Sequence, residues 1–101
     1  MDETPLRERL ARNVGPVERD LLKAHGDRGA LIEVAAELDL LDVGEAVAED
    51  RGHEVAGWIG DRLLTRPGFE ELTGAVYHVL VVQPYVLIQL TDERPESPPE
   101  P

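Results

Sequence analysis

The chain has 101 residues, of which 21 are acidic and 10 are basic, so its formal net charge is −11. It has no cysteine, which excludes a disulfide framework, a thiolate metal site and a cysteine nucleophile. Its single serine, Ser97, lies in a Pro/Glu-rich tail and is a poor candidate for a hydrolase nucleophile. The acidity argues against non-specific binding to nucleic acid or anionic membranes. An apolar fraction of 42% is enough to bury the core of one domain.

No segment has the composition of a signal peptide or of a membrane-spanning helix. The N-terminal sequence MDETPLRERL is charged and lacks the apolar core of a signal peptide. The longest apolar stretch, residues 79–90, is interrupted by Gln83, Pro84 and Gln89 and is shorter than the roughly 20 residues of a membrane-spanning helix. We therefore expect a cytoplasmic protein that does not bind membranes.

Two helical segments are predicted in the first part of the chain. Thr4 can cap a helix that has Pro5 at its first position, and Gly15-Pro16 breaks or kinks that helix. Apolar residues return at helical spacing over residues 17–24, and this second segment ends at His25-Gly26. Both segments are expected to be short helices.

A strand and a pair of helices are predicted next. Residues 30–34 are apolar and partly β-branched, as in a strand. Asp39 is a good N-cap for a helix through residue 49, and a second helix covers residues 53–61. The buried face of this pair is predicted to carry Leu40, Val43, Val47, Ala48, Val55, Trp58, Ile59 and Leu63. A short strand at 63–66 follows, and residues 69–72 fit a single helical turn or a structured loop.

The strongest strand signals are residues 77–82 and 85–90, separated by Gln83-Pro84. Proline fixes φ near −65°, whereas the common two-residue hairpins need positive φ. The sequence therefore favours one long strand, kinked at the proline, whose second half changes partners or runs along an edge. Residues 91–101 have no apolar core and are rich in Pro and Glu, so residues 1–90 are predicted to form the single domain and 91–101 a disordered tail.

The order of these elements is that of a winged helix-turn-helix. The fold class predicted is α+β and winged-helix-like, with three to four helices packed on a small, mainly antiparallel sheet.

Three separated blocks resemble a known family. They are ELDLLDVGEAVAED at 37–50, Val55 with Trp58-Ile59 and Leu63-Leu64, and HVLVVQPYVLIQL at 78–90. Together they resemble the small bacterial proteins catalogued as domain of unknown function 2288. Tyr85 stands where that family usually has tryptophan, and the Pro/Glu tail is not part of its pattern. The family has no assigned activity, so the resemblance implies no catalytic residue.

No motif predicts a catalytic, cofactor or metal site. His53-Glu54 begins like a zinc-protease motif, but Gly57 stands where the second histidine belongs. The histidines lie in separate segments, and no glycine-rich phosphate loop is present. Glu33 is the one acid within an apolar strand; a solvent-facing position is favoured over a general acid.

Specific DNA binding is kept as an alternative because of the order of elements. The second helix of the pair would then enter the major groove. Its polar face offers Glu54 and Asp61 beside His53, with Arg51 and Arg62 at its ends, which is a poor surface for phosphates. The sequence therefore disfavours nucleic acid as a partner.

The segment 77–90 is apolar at nearly every position, which predicts a strand with both faces buried. One face can meet the helices, and little chain remains to cover the other. We therefore predict a protein partner or a homodimer whose interface includes Tyr85, Val86, Ile88 and Leu90. The favoured function is a non-enzymatic protein-interaction module without a cofactor. DNA-binding regulation comes second, and a small-ligand or catalytic role third.

Overall fold

A computed structural model describes residues 5–91 of the chain. In this part the fold is α+β, with four α-helices, two short 3-10 helices and a five-stranded, mostly antiparallel sheet. The α-helices are α1 (Leu6–Ala11), α2 (Lys23–Asp27), α3 (Leu40–Ala48) and α4 (Gly52–Gly60). The strands are β1 (Gly15–Glu18), β2 (Leu31–Val34), β3 (Leu64–Thr65), β4 (Val76–Val82) and β5 (Tyr85–Leu90). The 3-10 helices are Arg19–Leu22 and Phe69–Glu71.

The expected class, helices packed on a mainly antiparallel sheet, is confirmed, but the winged-helix likeness is not. The strand order is β1-β4-β5-β2-β3. β5 lies inside the sheet, antiparallel to β4 and parallel to β2. None of the helices in residues 5–91 is long and apolar enough to cross a membrane.

The helical prediction that begins at residue 17 is wrong at its first two residues. Gly15–Glu18 form an edge strand that pairs antiparallel with β4, and the chain turns helical only from Arg19. Pro16 is tolerated in β1 because an edge strand can accommodate a residue without an N–H group. The predicted cap at Thr4 lies outside the described residues, as do positions 92–101 of the predicted tail.

The prediction for Gln83-Pro84 is also wrong. β4 and β5 form a tight hairpin in which Val82 pairs directly with Tyr85. The Gln83–Pro84 peptide bond is cis, and a cis proline at the third position defines the turn class that closes such a loop without positive φ. The prediction of one long strand assumed a trans proline.

The sheet carries a core on each face. On the first face, Leu80 and Leu87 pack with α1, α3 and Leu64; we call this the helix-side core. On the second face, Tyr77, Val86 and Ile88 pack with Leu22, Leu31 and Leu72. All of the strand residues named here except Leu64 and Leu31 are 0% exposed, and these two are nearly so.

The chain itself covers Val86 and Ile88 on the second face, whereas Val81 and Leu90 on that face remain 46% and 53% exposed. Arg19 joins the two 3-10 helices, donating from Nε to the carbonyl of Leu72 (2.8 Å) and from Nη2 to that of Phe69 (3.1 Å). Its guanidinium also lies 4.2 Å from the centroid of the Phe69 ring. These short elements carry Leu22 and Leu72 onto the sheet. Burial of Val86 and Ile88 in β5 therefore requires no second protein.

α1 is attached to α3 by one arginine. Arg7 contacts three carboxylates at 2.5–2.9 Å, those of Asp39, Asp42 and Glu45. Hydrogen bonds to Asp42 and Glu45 raise the pKa of the Arg7 guanidinium above its ordinary value. Asp39 also caps α3 as predicted, because its Oδ1 accepts from the backbone N–H of Leu41 at 2.8 Å. Acidic residues of α3 and of its N-cap thus bind α1 through Arg7.

A candidate docking groove between the helical pair and the sheet

An apolar groove lies between α3, α4 and the first face of the sheet. Its floor includes Ile32 of β2, Leu64 of β3 and Tyr85 of β5. Its walls are small and medium apolar residues of the two helices: Ala46 and Val47 of α3, and Val55, Ala56 and Ile59 of α4. The groove has a volume of about 610 Å³, within the 300–1,000 Å³ typical of binding sites.

The groove exists because α4 does not close onto the sheet. None of the nine residues of α4 is fully buried. Val55 and Trp58 are half-buried against the helix-side core, whereas Ile59 remains 55% exposed. The sequence placed Val55, Trp58 and Ile59 on one buried face. The prediction of burial is confirmed in part for Val55 and Trp58 and is wrong for Ile59, which lies at the rim of the open groove.

Both walls of the groove end in the same backbone motif. After α3, the N–H of Asp50 bonds to the carbonyl of Val47 and that of Arg51 to Ala46. After α4, the N–H of Arg62 bonds to Ile59 and that of Leu63 to Trp58. This pair of bonds is the Schellman motif, and it places Asp50 (φ 57°) and Arg62 (φ 63°) in the left-handed region. The two helix ends, and hence the groove walls, are fixed by backbone hydrogen bonds.

Two arginines stand at the Tyr85 side of the groove. Arg66 donates from Nη2 to the carbonyl of Gly29 at 2.6 Å, and its guanidinium lies 5.5 Å from the centroid of the Tyr85 ring. Arg28 donates from Nη1 to the carbonyl of Pro84 at 3.3 Å and contacts Nδ1 of His25 at 2.8 Å. Backbone carbonyls and an aromatic face, which carry no full charge, therefore orient both guanidinium groups.

The other charged residues of the groove lie in the α3–α4 loop. Asp50 is the acid among the lining residues, and Arg51 follows it. Arg51 forms ion pairs with Glu49 and with Glu54, the latter at 3.4 Å. The hydrogen bond to Glu49 is the main cause that raises the pKa of Arg51. This arginine, unlike Arg66, already has carboxylate partners.

The four residues predicted as an interface do not lie together on the surface. Tyr85 is half-buried in the groove floor. Val86 and Ile88 are 0% exposed and belong to the core of the second face. Leu90 is 53% exposed at the opposite end of β5. An interface role for this segment stays a prediction, and Tyr85 is the member that reaches the groove.

The other residues considered from the sequence lie elsewhere. Glu33 is half-buried on the second face of the sheet, beside Ile88 and Thr65, and burial raises the pKa of its carboxyl above its ordinary value. His78 and Gln89 line a second cavity of about 650 Å³ near α1. The Gln89 amide there donates to the carbonyls of Ala35 (2.9 Å) and Leu38 (2.7 Å). Among residues 5–91, no group of three or more histidine, aspartate or glutamate residues is placed to hold a metal ion.

Comparisons with known proteins agree with the family resemblance and give no activity. The family model described as "Protein of unknown function (DUF2288)" matches residues 5–90. The chain is also similar to the solution structure of PA1075 from Pseudomonas aeruginosa, determined by NMR, with a TM-score of 0.77 and 30% identity. That similarity covers 92% of this chain and 93% of the other. A comparison with curated proteins finds no match.

Proposed function

The chain belongs to the DUF2288 family of proteins of unknown function, and we propose that it is a non-enzymatic module that docks an apolar segment of a partner protein in the groove. The observation that carries this proposal is the open apolar groove between α3, α4 and the sheet, with Ile59 at its rim. Its lining is mostly aliphatic, which favours recognition over catalysis.

Folding leaves apolar surface of the groove in contact with water. Each Å² of apolar surface removed from water contributes about 25 cal/mol. Ile59 is more than half exposed although it is large and aliphatic. In a chain of net charge −11, charge keeps most of the surface hydrated. An apolar partner segment therefore gains most by docking where aliphatic side chains from two helices and three strands converge.

DNA binding has no specific observation in its favour. α4 would be the reading helix, yet it carries Glu54 in its first turn and is followed by Asp61. Its Val55, Ala56 and Ile59 side lines the groove. The net charge of −11 opposes association with phosphates.

The test is site-specific photo-crosslinking in cells that produce the full chain. A photo-reactive phenylalanine analogue replaces Ile59 in the groove or, as a matched control, Leu21 on the other side of the sheet. Both positions are exposed aliphatic residues, at 55% and 70%. We expect a discrete adduct with another protein from position 59 and none from position 21.

A second substitution makes the result specific to the groove. Ala56 is exposed and lines the groove, so Ala56→Arg fills it without entering the core. This substitution should abolish the adduct from position 59 while leaving the circular dichroism spectrum unchanged. The partner identified from the adduct should bind the purified chain and not the Ala56→Arg variant. Equal adducts from both positions, or none from position 59, would refute the proposal.

A further inference from the structure

We propose that the segment accepted by the groove is an amphipathic α-helix of a different protein, with a carboxylate at the end that meets Arg66. This inference rests on the proposed function and specifies the chemistry of the partner. It is based on the shape of the groove and on the positive charge of Arg66 beside Tyr85.

The helical form follows from what lines the groove. The walls and floor of the groove are side chains of α3, α4 and one sheet face. The edge strand on this side of the sheet, β3, has only two residues, so it offers little backbone for pairing with an extended segment. An extended segment lying on apolar side chains would leave its own backbone N–H and C=O groups without partners. A helix satisfies these groups internally and presents apolar side chains at spacings of three and four.

The carboxylate follows from the arginines. Arg7, Arg12, Arg19 and Arg51 each lie within 4.0 Å of a carboxylate. Among residues 5–91, the arginines without a carboxylate within that distance are Arg9, Arg28, Arg62 and Arg66, and of these four only Arg66 lines the groove. The carbonyl of Gly29 and the ring of Tyr85 hold the Arg66 guanidinium in place before any partner arrives. An acid docked there gains a charge-assisted hydrogen bond at a reduced entropic cost.

The position of the acid relative to the groove also follows. Asp50 would repel a partner carboxylate in the α3–α4 loop, where Arg51 is already paired with Glu49 and Glu54. Arg66 lies after β3 and next to the Tyr85 ring. The partner's acid is therefore assigned to the Arg66 end.

Residues 5–91 offer no such helix to a second copy of the chain. Its exposed large apolar residues in the described part are Leu21, Ile59, Val81 and Leu90. Ile59 lines the groove itself, Val81 and Leu90 belong to strands, and Leu21 belongs to a 3-10 helix. The C-terminal residues 92–101, DERPESPPEP, contain no aliphatic or aromatic residue other than proline. The occupant is therefore a different chain.

The experiment selects peptides from a phage-displayed library of random helical sequences on the full chain, after depletion on the Ala56→Arg variant. Each enriched peptide is synthesised in its selected form and as a twin with Glu→Gln or Asp→Asn. Fluorescence anisotropy then measures the affinity of both for the wild type, for Arg66→Gln and for Arg9→Gln. Arg9 is the matched control, because it is an exposed arginine of α1 away from the groove.

We expect enriched peptides with apolar residues at helical spacing and an acid near one end. The amide twin should bind the wild type and Arg9→Gln about fivefold more weakly, the upper range for an exposed ion pair. Arg66→Gln should bind the acid peptide and its twin equally. This coupling between Arg66 and the acid is the result that a merely structural role of Arg66 would not produce.

The possible failures are distinguishable. If no peptide depends on the groove, the proposed function fails. If peptides bind the groove but carry no acid, or if Arg66→Gln preserves the preference for the acid, only the present inference fails. Enrichment of proline-rich, extended sequences overturns the helical form. A concentration-dependent dimer of the wild type in sedimentation, absent in Ala56→Arg, assigns the groove to self-association instead.

Discussion

Gly44 in α3 is the position where one added methyl group should test the packing of the helix on the sheet. A Cβ atom there would lie 2.5 Å from Cδ2 of Leu80 and 3.4 Å from Cδ1 of Leu10. Leu80 is 0% exposed and belongs to the helix-side core. An added Cβ at position 44 therefore requires the fully buried Leu80 side chain to shift.

The sign of the effect of Gly44→Ala follows from two opposing magnitudes. Replacing glycine by alanine inside a helix stabilises it by about 0.8–1 kcal/mol. Overpacking a well-filled core costs about 1–3 kcal/mol, and the upper half of that range applies because the approach is about 1 Å too short. The net result is a loss of about 1–2 kcal/mol. Gly57→Ala in α4 is the matched control, because nothing lies within 4 Å of its added Cβ. That variant should gain about 0.5–1 kcal/mol.

Thermal unfolding followed by circular dichroism measures both variants under one condition. The two free energies differ by about 2 kcal/mol, which corresponds to about 8–16 °C in Tm for a domain of this size. In a Leu80→Ala background the contact is removed, so Gly44→Ala should become neutral or stabilising. A Gly44→Ala variant as stable as Gly57→Ala would refute the close packing of α3 on β4.

Three further predictions concern strain and charge. Arg62→Gly should raise the free energy of unfolding, measured by urea titration, by about 0.5–1 kcal/mol. Glycine adopts the positive φ at this helix end without the steric cost that arginine has. A loss of stability would contradict the Schellman assignment. Arg7→Gln should lower Tm, because the three carboxylates that Arg7 contacts then repel each other without a compensating positive charge. Added NaCl screens this repulsion and should raise Tm more in the variant than in the wild type. An equal response to salt would contradict this prediction. Burial raises the pKa of Glu33 above 4.5, so the folded state binds a proton more tightly than the unfolded state, and stability falls as the pH rises through the folded pKa. Glu33→Gln should therefore be more stable than the wild type at pH 7 and lose that advantage below the unfolded pKa, as chemical denaturation at several pH values would measure.

Local sequence determined those elements whose signals are contained within a few residues. Asp39 begins α3 because its side chain caps the helix, and residues 31–34 form a strand because they are apolar and β-branched. Residues 69–71 form a single helical turn, which is one of the two structures predicted for 69–72. The resemblance of three blocks to the DUF2288 family was also readable, and the family match over residues 5–90 confirms it.

Tertiary structure decided the elements whose state depends on a distant partner. Gly15–Glu18 are a strand because β4 offers them an edge, and no local pattern of four residues including a proline indicates that pairing. The position of β5 inside the sheet likewise depends on its parallel pairing with β2, a strand distant in sequence. These interactions join residues far apart in sequence, so periodicity carries no record of them.

The candidate site shows the same division. Periodicity placed Val47, Val55 and Ile59 on buried helix faces, and all three line the groove. Burial is wrong for Ile59, because spacing along the chain does not show that α4 leaves part of its face uncovered. Arg66 gives no signal in the sequence, because its contacts with Gly29 and Tyr85 exist only after β3 and β5 have joined the sheet around β2. Hydrophobic patterning determines which side chains avoid water. Only the packed arrangement decides how much of that surface the chain covers itself and which charges stand beside the remainder.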